Sequence, residues 1–333
     1  MSKQTQELNA LVVQYIDDVL FDGLEKCLPL WNYISKEGKK RQKGGTYIQF
    51  PIKLLKNQSQ GFIPGTGATV SATPSVQLQY GVLPWKYYNC NINFTLEDYN
   101  VAMDSALSVM DFFTEKIDGA RADMYRDLSA SLWGSSSTNP LAFDGIQDIC
   151  AATGTAYAGL LDTDYDAGAY LPYTSSIQTV SYSAINNMIT NVQARMQASA
   201  NVGNECMGFA NTFVYETFKN AVQGQQMFLN ESEFAKAGFR GFMVNGVEFY
   251  LDAYAPGSST AGTYDNWAVI FPKKAIKFIY NFGFDSGSPF DTTKEGLQLP
   301  LEPLKSVQRY LSGNLVCYNR RLFAVNKSFG VSA

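Results

Sequence analysis

A chain of 333 residues, 46% apolar and only 17% charged, has ample material for a core and length for about two domains. Charged residues usually make up about 25%, so much of the surface must be neutral polar or aromatic, which suits extensive protein–protein contact. The formal net charge of −4 argues against a dedicated nucleic-acid binder, and the absence of histidine removes the commonest general base, the usual metal ligand and every Ser/His or Cys/His arrangement.

The five cysteines (Cys27, Cys90, Cys150, Cys206, Cys317) are odd in number, scattered and free of any C-x-x-C pair. They read as buried thiols in a reducing compartment. No apolar run approaches the ~20 residues of a membrane span, and the start has no signal-peptide hydrophobic region. The expectation is a cytoplasmic product with no membrane segment.

Residues 5–26 predict an amphipathic helix, with Leu8, Leu11, Val12, Tyr15, Ile16 and Val19 on one face and Pro29 stopping or bending it. The basic run at 36–45 reads as a flexible linker that solvates its charges. A helix on such an arm needs a partner surface to cover its apolar side. Next, Ile48, Phe50, Ile52 and Leu54 alternate with polar residues, as do Val76, Leu78, Tyr80 and Val82, predicting two strands. Between them lies an irregular tip rich in turn formers, in which Phe62 and Ile63 are apolar. Gly65-x-Gly67 lacks the Lys-Ser/Thr continuation of a phosphate loop. The strand pattern continues through Tyr88, Cys90, Ile92 and Phe94.

A long helix is predicted over 101–133. Met103, Leu107, Met110, Phe113, Ile117, Ala120, Met124, Leu128 and Leu132 recur at threes and fours and share one face. Asp118/Arg121 and Asp123/Arg126 are spaced to pair across a turn, and Gly134 ends the run. From 106 to 133 it would measure about 42 Å. Beyond a turn at 139–146, Asp162-x-Asp164-x-Asp166-x-Gly168 has the look of a calcium loop. Its glycine is one place late and Tyr173 stands where a bidentate Glu is required, so a surface loop is expected and no metal site is assigned. Helices follow at 183–196, capped by Ser183, and at 212–222 with Phe213, Phe218 and Val222 as the apolar side. Strands are predicted around 206–209, 247–253, 267–271, 276–282, 315–318 and 322–325. Separate runs of helix and strand define an α+β chain.

This order of parts resembles the major capsid proteins of tailed bacteriophages, whose fold is shared with encapsulins and the herpesvirus shell. The resemblance runs through the arm, the hairpin, the long helix, the turn Asn139-Pro140…Phe143-Asp144-Gly145-Ile146 and the step Phe209-Ala210-Asn211-Thr212-Phe213-Val214-Tyr215. It continues through Met243-Val244-Asn245-Gly246-Val247-Glu248-Phe249 and 267–271 to the closing Tyr318-Asn319-Arg320-Arg321-Leu322-Phe323-Ala324-Val325. It implies an N-terminal arm at 1–45 and an extended E-loop hairpin at 46–95. A peripheral domain with the spine helix would take 96–180 and 271–333, and an axial domain 181–270.

The implied function is mechanical: pentamers and hexamers of one subunit close an icosahedral shell around double-stranded DNA, held without sequence-specific binding. The arm and hairpin would reach neighbouring copies, which makes Leu8, Leu11, Tyr15, Phe62 and Ile63 the candidate inter-subunit contacts. No catalytic residue, cofactor or metal is expected. The resemblance implies a virion protein assembled in the host cytoplasm with a separate scaffolding protein, a portal and, in some relatives, decoration proteins. An encapsulin-like cellular compartment is the nearer alternative. An enzyme would need convergent carboxylates or lysines in a cleft, and no clustered motif supplies them. Some relatives crosslink an E-loop lysine to a neighbour's asparagine, for which Lys53, Lys56 and Asn326 are formal candidates, although ordinary surface side chains are the expectation.

Overall fold

A computed structural model describes residues 29–53, 78–95, 119–120, 123–124, 126–165, 170–196, 205–223, 241–258, 264–282, 291–292, 297–298 and 304–330. The first described element is helix α1 (Pro29–Lys36), with Pro29 in its first turn; the helix expected over 5–26 lies outside the described residues. The missing N–H of proline costs nothing in the first turn, where that donor has no helical partner. Leu30, Trp31, Tyr33 and Ile34 are buried, and Trp31 meets Phe278 edge-on at 5.8 Å. The basic stretch that follows, expected as a flexible linker, supplies strand β1 (Lys39–Arg41) at a sheet edge.

The first sheet is built on β13 (Leu304–Cys317), fourteen residues long. On one side it pairs antiparallel with β10 (Ile276–Phe282), which pairs parallel with β1. On the other it takes β4 (Lys86–Thr95) over ten residue pairs, while β11 (Asp291–Thr292) and β12 (Leu297–Gln298) are short additions to β13. The strand expected to extend the hairpin therefore leaves it after Pro84 and joins this sheet.

The second sheet has the order β5 (Tyr173–Ser175), β14 (Ala324–Gly330), β9 (Tyr264–Pro272), β6 (Cys206–Ala210), β8 (Val247–Leu251), β7 (Gly241–Val244). Period-two alternation assigns its residues to two cores. Met207, Phe209, Val269, Phe271 and Val325 join the main core with the first sheet, and Ala210, Ala268, Ile270, Ala324 and Phe329 join a second. The hairpin between β7 and β8 turns at Asn245 (φ 49°) and Gly246 (φ 80°), the two positive values that a type I′ turn requires.

The second core lies beneath two helices. In Tyr182–Met196, Ala184, Ile185, Met188, Ile189 and Val192 are buried, and Ser181, not Ser183, accepts the Ala184 N–H at 3.2 Å as the cap. Thr212–Gln223 buries Val214, Tyr215 and Phe218, a face turned slightly from the expected one because Phe213 is only half-buried. Its cap is Asn211, whose side-chain oxygen accepts the Val214 N–H at 3.1 Å while its amide donates to Asn266 at 2.7 Å. Gly257 is obligatory beside them, since a Cβ there would lie 1.9 Å from the Asn211 amide nitrogen.

The predicted long helix is present at 119–120, 123–124 and 126–133, with its earlier residues outside the described ones. Met124, Leu128 and Leu132 are buried as the periodicity requires, and Arg126 pairs with Asp123 at 3.1 Å. Trp133 meets Phe209 edge-on at 6.1 Å, so the helix end abuts the second sheet. The turn after it is packed onto that end. Phe143 N–H donates to Ser131 Oγ at 2.8 Å, Ser136 N–H to the Asp148 carboxylate at 2.7 Å, and a Cβ on Gly145 would strike the Gly134 carbonyl at 2.4 Å.

Candidate assembly surface

Strands β2 (Tyr47–Lys53) and β3 (Leu78–Pro84) form a two-stranded antiparallel sheet of their own. One side is anchored to the body. Ile48, Phe50, Ile52 and Leu83 are buried, Phe50 meets Tyr318 edge-on at 5.8 Å, and Gly81 leaves room for the Phe50 ring, which a Cβ would approach to 2.7 Å. Val82 N–H donates to the Ala158 carbonyl at 2.9 Å, and Trp85 Nε1 closes the root by donating to Gly45 O at 2.8 Å.

The other side is largely apolar and exposed among the described residues. Tyr47 lies opposite Pro84, Gln49 opposite Val82 and Pro51 opposite Tyr80, followed by Leu78. Tyr47, Leu78 and Tyr80 are 52%, 54% and 62% exposed, and both prolines are exposed. An isolated hairpin is marginal in water; this one borrows its stability from the body through one face and presents the other. The alternation was legible in the sequence, but which face is covered depends on distant partners such as Tyr318, 268 residues beyond Phe50.

The contact candidates Leu8, Leu11, Tyr15, Phe62 and Ile63 all lie outside the described residues. So does Lys56. Asn326 is buried and committed to its own subunit: its amide donates to Ile177 O at 2.8 Å and its oxygen accepts Ser328 N–H at 2.8 Å. Asp162 of the calcium-like pattern is also buried, its carboxylate accepting Gly154 N–H at 2.8 Å, while Asp164 is exposed and Asp166 lies outside the described residues. Among the described residues no group of three or more His, Cys, Asp or Glu side chains is placed to hold a metal.

Buried Arg320 and half-buried Lys327 serve packing elsewhere. Arg320 donates from Nε to Ile149 O at 2.7 Å and from Nη2 to Ala151 O at 3.1 Å, with its guanidinium 5.5 Å from the Tyr157 ring centre and 5.2 Å from that of Tyr170. Lys327 donates to Cys150 O and lies 4.7 Å over Trp267. Both cations meet the last carbonyls of the short helix Ile146–Ile149, the negative end of its peptide dipoles. Burial pushes the Cys150 thiol up to about 12, so it is protonated at neutral pH and a poor nucleophile.

The described end of the long helix, the anchored hairpin and the two sheets sharing a core have the fold seen in tailed-phage capsid proteins and encapsulins. A subunit of the cyanophage A-1(L) capsid is 13% identical, with a TM-score of 0.62 over 91% of this chain and 94% of that one. The SrpI encapsulin of Synechococcus elongatus PCC 7942 is 9% identical, with a TM-score of 0.55 over 92% and 89%. The capsid of Myoviridae phage XM1 is 12% identical, with a TM-score of 0.54 over 90% and 91%. No protein-family model matches the sequence, and neither does any curated protein.

Proposed function

We propose that this chain is a major capsid protein that self-assembles through pentamers and hexamers into the icosahedral shell of a tailed phage. The observation that carries the reading is the hairpin of β2 and β3: one face bolted to the body, the other apolar and open, on a fold otherwise found in shells. A monomer gains nothing from exposing two tyrosines, a leucine, a valine and two prolines side by side, whereas a neighbouring copy can bury them. One surface reused many times makes weak contacts into a closed particle.

In this reading the role is structural and not enzymatic. Residues 181–270 serve as the axial domain and 96–180 with 271–333 as the peripheral one, the pairing of β14 with β9 tying them together. The arm reaches from the residues before Pro29, with Leu8, Leu11 and Tyr15 as its contacts, and Phe62 and Ile63 extend the hairpin's contact. The subunit takes its place in the virion after assembly in the host cytoplasm with separate scaffolding and portal proteins, and the shell encloses double-stranded DNA.

Electron microscopy of the purified protein tests this, and closed particles of uniform size are expected. Replacing residues 58–75 by a short Gly-Ser turn, or making Leu78→Lys with Tyr80→Lys, should leave a folded subunit by circular dichroism and abolish particles. Normal shells from both variants would overturn the assigned contact. The likeness to the SrpI encapsulin supports a second reading, a cellular compartment. Particles that co-purify with one cargo protein and no DNA would favour it.

A further inference from the structure

The pairing of β1 with β10 gathers charge that the sequence scatters. Residues 36–43 contribute Lys36, Lys39, Lys40, Arg41 and Lys43, and residues 273–277 contribute Lys273, Lys274 and Lys277. The parallel register sets Lys39 beside Phe278 and Arg41 beside Tyr280, and Tyr33 Oη donates to Lys273 O, holding the two segments together. The two segments that this pairing joins carry eight cations and a single carboxylate, Glu37, in a chain whose net charge is −4. Lys36, Lys39, Lys40, Arg41, Lys43 and Lys274 are exposed.

Edge protection alone does not account for this concentration. A lysine or two suffices to keep a free strand edge from pairing with another chain, and clustered like charges destabilise the compact state by self-repulsion. The cations are seven lysines and one arginine, and lysine is depleted in protein–protein interfaces, where arginine is enriched. Strongly hydrated point charges on flexible stems instead suit sequence-independent neutralisation of phosphates. We infer that the corner formed by 36–43 and 273–277 is a polyanion contact that receives the phosphate backbone of nucleic acid. This rests on the capsid reading for its biological setting, and the phosphate chemistry is testable without it.

The test uses full-length subunits and a 30-base-pair duplex of arbitrary sequence, titrated at several salt concentrations, with particles scored in parallel by electron microscopy. For the parent, affinity should fall steeply as salt rises. Lys39→Gln, Lys40→Gln, Arg41→Gln and Lys43→Gln together should weaken binding about tenfold or more at low salt. They should reduce the salt slope by about 3.6, since each of the four lost phosphate contacts removes about 0.9. The pair Lys36→Gln with Lys274→Gln, outside the strands, should act in the same direction and guards against a folding defect in β1. Loss of duplex binding with shells intact supports the contact. If the parent makes no particles yet shows this charge-dependent binding, the capsid reading fails and the contact stands. Unchanged affinity and slope in both variants would overturn it, and so would loss of shells with duplex binding intact, which would assign the corner to a neighbouring copy.

Discussion

Asn314 and Asp144, 170 residues apart, form a hydrogen-bonded pair in the core, and every valence of the Asn314 amide is used. Its oxygen accepts the backbone N–H of Asp144 and of Leu315, both at 2.9 Å. Its nitrogen donates to the Asp144 carboxylate and to Pro84 O at 3.0 Å. One side chain thus joins β13, the turn after the long helix and the end of the hairpin. Asn314→Leu leaves a buried carboxylate and a carbonyl without donors, so it should cost about 2–4 kcal/mol. Urea denaturation of the subunit measures it; a loss under 1 kcal/mol would mean that water replaces the amide.

On the long helix, the buried and exposed faces should separate cleanly. Leu128→Ala opens a cavity beneath the sheets and should cost about 2–5 kcal/mol. Arg126→Ala removes an ion pair whose partners are both about two-thirds exposed, and should cost under about 1 kcal/mol. Equal costs in denaturant titrations would contradict the assignment of faces.

Asp252 is buried, and desolvation raises its pKa, opposed in part by the Trp133 indole and by Tyr254 N–H at 3.0 Å. A carboxyl with a folded pKa above its unfolded one binds more protons in the native state, so it lowers stability progressively as pH rises from about 4 through the folded value. Asp252→Asn should therefore be more stable than the parent at pH 7, with the difference shrinking as pH falls toward 4. Melting curves across that range decide it; a gap that widens on acidification would reverse the sign.

Cys90, Cys150, Cys206 and Cys317 are buried free thiols, and burial pushes Cys150 and Cys206 up to about 12. Alkylation of the native subunit at pH 8 should leave all four unmodified, with complete labelling after denaturation. Peptide mass spectrometry reads each site; rapid native labelling of Cys150 would show that the core opens there.

Elements whose own residues alternate or repeat are legible before any tertiary contact is considered. Met124, Leu128 and Leu132 announce a helix face because nothing but 3.6 periodicity spaces them so, and Ile276, Phe278 and Tyr280 announce a strand. Strand β13 was legible only at its end, since Lys305, Ser306, Gln308 and Arg309 break any apolar pattern. It is a strand because β4 and β10 satisfy its backbone from either side. Pro29 opens helix α1, whose place is set by the packing of Trp31 on Phe278 and not by any local pattern. The three basic residues of β1 carry no strand signal at all; β10 imposes the conformation by offering its edge. The same pairing decides where the charge lies, because 36–43 and 273–277 are more than two hundred residues apart until backbone hydrogen bonds bring them together.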